Sequence, residues 1–177
     1  PKVYFLPSAY ETCGYVRCYM PILYCGYNGS QTSLYSPLKS NVQSAKEINE
    51  SDIVVFHRPD SVAHHKAAIA MKQAGKIIVF DNDDTAYLDR GHPFDPVLDE
   101  DYELKAPIYR NIIDNFILNA DAVTTTTEFL AEEYRKNNKN TTVIPNCVDP
   151  SAWLKPLRNE GDQVRITISG SAAYTLD

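Results

Sequence analysis

Short apolar runs alternate with amphipathic stretches along this chain, and most runs end in polar residues. Residues 3–6 read as a first strand, followed by a loop over 7–14 and a partly apolar helix over 15–24 that Pro21 kinks or divides. A turn-rich segment at 25–30 leads to a second strand over 31–35 and a polar helix over 37–49. From residue 53 the pattern sharpens: Ile-Val-Val-Phe over 53–56 is a strand, and a helix capped by Ser61 runs to Ala74, where Gly75 closes it. The apolar run over 76–80 is the next strand, and strand–helix–strand with short links is a right-handed parallel crossover.

An irregular, acid-rich loop over 88–101 precedes a helix over 107–119, with Ile108, Ile112, Ile113 and Phe116 on one face. A strand over 122–126, a helix over 128–136 and a sixth strand over 141–144 follow. This alternation predicts an α/β fold, a Rossmann-like three-layer α/β/α arrangement with a mainly parallel sheet, spanning residues 1–150. Residues 151–162 are polar and contain Pro, as a linker does, and 163–177 read as one more strand opening onto Gly170 and Ser171, the expected start of a second domain.

The richest chemistry lies in Lys76-Ile-Ile-Val-Phe-Asp-Asn-Asp-Asp-Thr85. A continuous apolar run suits a parallel strand covered on both faces, and the carboxyl ends of such strands line the ligand crevice. Asp81, Asp83 and Asp84 are therefore the candidate catalytic residues. One helix cap would account for one acid, but not for three.

The 177 residues, 44% of them hydrophobic, are ample for one α/β domain and long for only one. A net charge of −6 without a basic stripe gives no reason to expect a nucleic-acid partner. The four cysteines match no zinc spacing and are expected as reduced thiols in a cytoplasmic protein. His64 and His65 are adjacent and do not share a helix face, so no metal site is expected there. No apolar run reaches the roughly twenty residues of a membrane span; peripheral membrane contact stays open, although the acidic stretch over 95–103 disfavours an anionic lipid surface.

Residues 8–14, His57, Arg58, Asp81 to Asp84, Thr124 to Thr127 and Asn146 all follow strands and should rim one crevice. Cys13 and Gly14 with Arg17 put a flexible backbone and a guanidinium at a helix start, where an anion is favoured; an ordinary turn and a surface arginine account for them equally well. His57 follows its strand directly, a place where a histidine commonly serves as a hydrogen-bonding group.

The series Asn119-Ala-Asp-Ala-Val-Thr-Thr-Thr-Thr-Glu-Phe-Leu130 and the segment Thr142-Val-Ile-Pro-Asn-Cys-Val-Asp149 resemble the N-terminal domain of GT-B glycosyltransferases, especially the retaining enzymes of glycosyltransferase family 4. In that family the last strand runs into an Ile-Pro-Asn-Gly-Val-Asp signature before the interdomain linker; here Cys147 replaces the usual glycine. Val164-Arg-Ile-Thr-Ile-Ser-Gly-Ser171 is similar to the opening of the family's donor-binding domain. The resemblance implies half of a GT-B fold, a nucleotide-sugar donor with no bound cofactor or metal, and a glycan or lipid-linked acceptor. It also implies that the donor's glutamate pair lies beyond Asp177. Substrate contacts are then expected from Cys13, Gly14, Arg17, His57, Arg58, Thr127, Glu128, Asn146, Gly170 and Ser171. Asp81 stands where many members have an active-site histidine.

A rival resemblance is to the first motif of haloacid dehalogenase phosphatases, Asp-x-Asp-x-Thr, carried by Asp81, Asp83 and Thr85. It implies Asp81 as nucleophile beside magnesium, a hydroxyl from Thr124 to Thr127, Lys136 or Lys139 as the cation, and an acidic motif at Gly161-Asp162. It leaves residues 144–149 unexplained. A noncatalytic sugar- or nucleotide-binding module is the third expectation.

Overall fold

The computed structural model of the chain describes residues 1–8, 12–25, 31–34, 39–85, 102–147 and 149. The acid-rich loop over 88–101, Gly161-Asp162, the expected linker and strand after residue 150, Gly170 and Ser171 lie outside the described residues.

Among the described residues six strands form one all-parallel sheet in the order β2-β1-β3-β4-β5-β6. They are β1 (Lys2–Leu6), β2 (Gln31–Leu34), β3 (Ile53–His57), β4 (Ile77–Asn82), β5 (Ala122–Thr125) and β6 (Thr141–Val143). Helical segments link them: α1 (Thr12–Gly14), a π turn (Tyr15–Tyr19) and α2 (Met20–Cys25) after β1, then α3 (Asn41–Glu50), α4 (Val62–Gln73), α5 (Tyr102–Asn119) and α6 (Glu128–Arg135). The fold is a Rossmann-like three-layer α/β/α arrangement.

Alternate residues of the strands face opposite layers, as the pleat requires. Tyr4, Val54, Phe56, Ile78, Phe80 and Val123 pack with Ala68 of α4, Ile113, Phe116 and Ile117 of α5, and Leu130 and Tyr134 of α6. Phe5 and Val55 point the other way, onto Cys18 and Ile22 of the segment after β1. Phe116 is the hub of the larger cluster, with its ring 5.2 Å from Phe56 and 5.6 Å from Phe80.

Several boundaries shift for identifiable reasons. The helix expected from residue 107 starts at Tyr102 and carries Pro107 inside it. Among its described side chains the buried stripe is Ile113, Phe116 and Ile117, continued by Ala120 just past its end, while the expected Ile108 is 62% exposed. The helix expected from residue 37 begins at Asn41, where the Ser40 hydroxyl accepts the Gln43 N–H. Ser61 caps α4 in the same way, and Gly75 takes φ +86° just past its end. The division expected near Pro21 is present: the π turn ends at Tyr19, and α2 begins at Met20 with Pro21 in its first turn, where proline's missing N–H leaves the Arg17 carbonyl without its helical donor.

β2 and β3 lie on opposite sides of β1, so the connections diverge there. In open α/β sheets the crevice outside the carboxyl ends of strands at such a switch point is where ligands bind.

Candidate functional site

β4 runs two residues past its expected apolar end, which makes Asp81 and Asn82 strand residues. Asp81 stands opposite His57 on β3 and Thr124 on β5, and is 3% exposed. Its partner is Arg17, delivered by the π turn. Arg17 Nε donates to Asp81 Oδ2 at 3.0 Å and Nη2 donates to Oδ1, a two-pronged ion pair. The Thr124 hydroxyl donates to the same Oδ1 at 2.5 Å. Arg17 Nη1 reaches the Ile144 carbonyl and, at 3.4 Å, Asn146 Oδ1. Burial works against the Arg17 charge, but the hydrogen bond and charge of Asp81 outweigh it and hold the guanidinium's pKa above its ordinary value.

A second cluster lies beside the first. Arg58 Nε donates to Asp83 Oδ1 at 2.6 Å, and Nη2 reaches Asp84 Oδ2 at 3.4 Å. His57 Nε2 is 3.4 Å from Asp83 Oδ1, and His57 Nδ1 is 3.4 Å from the Ser8 hydroxyl. Burial pushes the Asp83 carboxyl up, but hydrogen bonds from His57, Cys13 and Arg58, with the Arg58 charge, hold it well below the usual carboxylate range. Arg58 takes φ +49°, a left-handed conformation unfavourable for a residue with a Cβ. Its N–H donates to the Asp81 carbonyl at 2.9 Å, so the strained backbone is tied to β4 and aims the guanidinium over the acids.

The expected residues therefore divide. Cys13, Gly14, Arg17, His57, Arg58, Asp81, Asp83 and Asn146 come together at the carboxyl edge of the sheet. Asp84 is at the rim with its side chain 65% exposed. Arg17, for which an anion-facing role was one expectation, pairs with Asp81 and the residues after β6, and the more accessible guanidinium is that of Arg58, 33% exposed. Thr127 serves as the N-cap of α6, accepting the Leu130 N–H at 3.3 Å, and the exposed Glu128 pairs with Arg135. Ser8 and Thr124, expected only on the crevice rim or as a motif hydroxyl, pair with His57 and Asp81, and Tyr134 gains a role that the motifs did not single out. The Tyr134 hydroxyl accepts from Asn82 Nδ2 at 2.8 Å and donates to the Asp84 carbonyl at 3.0 Å, which fixes the acidic strand end. Periodicity placed Tyr134 in a helix but carried no sign of that reach.

A cavity of about 300 Å³ opens beside Ser8 and His57, and one of about 110 Å³ lies between Arg58, Asn82 and Asp84. Among the described residues no group of three or more His, Cys, Asp and Glu side chains is arranged to hold a metal ion. No helix among them is long and apolar enough to cross a membrane. Comparison with protein-family models and with curated proteins yields no match.

Proposed function

We propose that this chain is the acceptor-side domain of a GT-B glycosyltransferase, and that its parent reaction moves a sugar from a nucleotide-sugar donor to a glycan or another hydroxyl acceptor. The observation that carries this reading is the contact of Arg17 with Ile144 and Asn146. It draws the Ile-Pro-Asn-Cys segment, the most specific point of resemblance to that family, onto the crevice at the switch point. Crevice chemistry fits the reaction. Carboxylates such as Asp83 and Asp84 hold sugar hydroxyls, and a cation such as Arg58 offsets the charge of a departing diphosphate.

The phosphatase alternative fares less well on this geometry. Both Asp81 oxygens are engaged by Arg17, and one also by Thr124, which leaves a poor nucleophile. Lys136 and Lys139 lie between α6 and the start of β6, at the edge of a parallel sheet opposite to the strand ends that carry Asp81. Lys136 is paired with Glu133 there.

The test is nucleoside diphosphate release by the protein expressed from its native reading frame, across a panel of uridine, guanosine, adenosine and thymidine diphosphate sugars. Turnover of a donor that drops about tenfold or more in Asp83→Asn and Asp84→Asn is the expected result. Magnesium-dependent hydrolysis of a generic phosphate ester, lost in Asp81→Asn and without donor turnover, would overturn it in favour of the phosphatase.

A further inference from the structure

The helical segment after β1 covers the sheet with one side and leaves another bare. Cys18 and Ile22 turn onto Phe5 and Val55. Tyr15, Tyr19 and Leu23 recur every fourth position, so they share a face that the sheet does not cover, and they are 42–47% exposed. The rings of Tyr15 and Tyr19 stack with centroids 5.3 Å apart, which makes the stripe continuous. From Thr12 to Cys25 the only charged side chain is Arg17, and it is buried, so this face presents no charge to water. Single exposed apolar side chains are ordinary, but a contiguous uncharged stripe marks a surface that something covers.

The chain leads its own continuation there. The hydroxyl of Tyr24, next to Leu23 at the end of the stripe, donates to Asp149 Oδ2 at 2.9 Å, and Asp149 is the last described residue. Arg17 of the same segment holds Ile144 and Asn146. The sequence then continues Pro-Ser-Ala-Trp-Leu-Lys-Pro-Leu over 150–157, with Trp153, the sole tryptophan of this chain, beside Leu154. Four residues span up to about 14 Å, and Tyr19 lies about 8 Å along the helix from Tyr24. Trp153 and Leu154 are therefore within reach of Tyr19 and Leu23. Pro150 and Pro156 stiffen the run, which lowers the entropy lost when it is ordered. We propose that residues 151–157 form a strap seated on the face of Tyr15, Tyr19 and Leu23, with Trp153 as its anchor. The strap ties the chain beyond residue 157 to the segment that carries Arg17, whichever reaction the crevice performs. A second copy of this chain or a lipid surface also suits an apolar stripe, but neither accounts for the delivery of Asp149 to its end. A net charge of −6 and a stripe without a cation also disfavour an anionic bilayer.

Two measurements on the protein from its native reading frame test this, and neither needs a donor sugar. The first is fluorine NMR of protein labelled with 5-fluorotryptophan, with the Trp153 resonance assigned by its loss in Trp153→Phe. The resonance is expected away from its position in urea and shifted back toward that position in Tyr19→Ser and Leu23→Ser. Leu118→Ser, an exposed change on α5, is expected to leave it in place. A Trp153 resonance at the urea position in the wild type, or one that does not respond to Tyr19→Ser and Leu23→Ser, overturns the strap. The second places photoreactive benzoylphenylalanine at position 19, which keeps an aromatic ring on the face, and maps the products by mass spectrometry. Cross-links to residues 150–157 within the monomer are expected. Cross-links confined to a second copy, or to the acyl chains of added phosphatidylcholine vesicles, overturn the strap in favour of those partners, and so does the absence of any product in 150–157.

Discussion

Arg17 and Asp81, separated by 64 positions in the chain, form a two-pronged ion pair in which each side chain is only 4% exposed. Through it the first helical segment holds the end of β4, and the same guanidinium holds the residues that follow β6. The pair is expected to be costly to break and cheap to replace. Arg17→Met or Asp81→Leu alone should lose about 3–5 kcal/mol of stability, because each leaves a buried charge unpaired, and the double variant should recover much of that loss. Urea unfolding of the three variants measures this, and additive losses would show that the two residues do not act as a pair.

Asp83 makes stability depend on pH. Its folded-state pKa is depressed below the ordinary carboxylate value, so the unfolded chain takes up the proton first as pH falls. The stabilisation from Asp83 is therefore fully present above about pH 5 and is lost progressively below about pH 4, the ordinary carboxylate range. Unfolding free energies of the wild type and Asp83→Asn, measured from pH 7 downward, should converge as acid is added. A gap that stays constant would mean that the carboxylate charge is not what the site uses.

The corrected stripe on α5 can be checked by truncation. Phe116 is 1% exposed at the centre of the aromatic cluster, whereas Ile108 is 62% exposed. Phe116→Ala should cost about 3–5 kcal/mol, the usual range for emptying a core site of an aromatic ring. Ile108→Ala should stay within about 0.5 kcal/mol, as surface changes do. Thermal denaturation of the two variants decides it, and equal losses would restore the stripe expected from periodicity.

Cysteine reactivity should separate two thiols. Burial pushes the Cys18 thiol up to about 12, with Asp81 adding to the shift and Arg17 opposing it. Cys147 is exposed. Iodoacetamide at neutral pH should label Cys147 and spare Cys18 until the protein is unfolded, because only the thiolate reacts. Peptide mass mapping reads the outcome, and early labelling of Cys18 would contradict its placement between β1, β3 and the helical segment after β1.

Periodicity and punctuation determined the elements of this protein. Apolar runs such as Ile53-Val-Val-Phe56 can bury only as covered strands, Ser61 and Gly75 bound a helix through their own backbone chemistry, and an all-parallel sheet follows from strands separated by helices. The gathering of Asp81, Asp83, His57 and Arg58 at one edge was legible for the same reason, since every strand of a parallel sheet ends on that side. Strand order was not legible, because local patterns do not record which strands become neighbours. Only the tertiary structure put Thr124 opposite Asp81 and Ser8 within reach of His57. It also decided what each charge does. Arg17 read equally well as an anion-facing guanidinium or a surface arginine, and the structure buries it against Asp81; His57 gained its place between a hydroxyl and a carboxylate from two other strands. Those roles depend on distances between residues far apart in the chain and on removal from water, and neither is written in a local run of side chains.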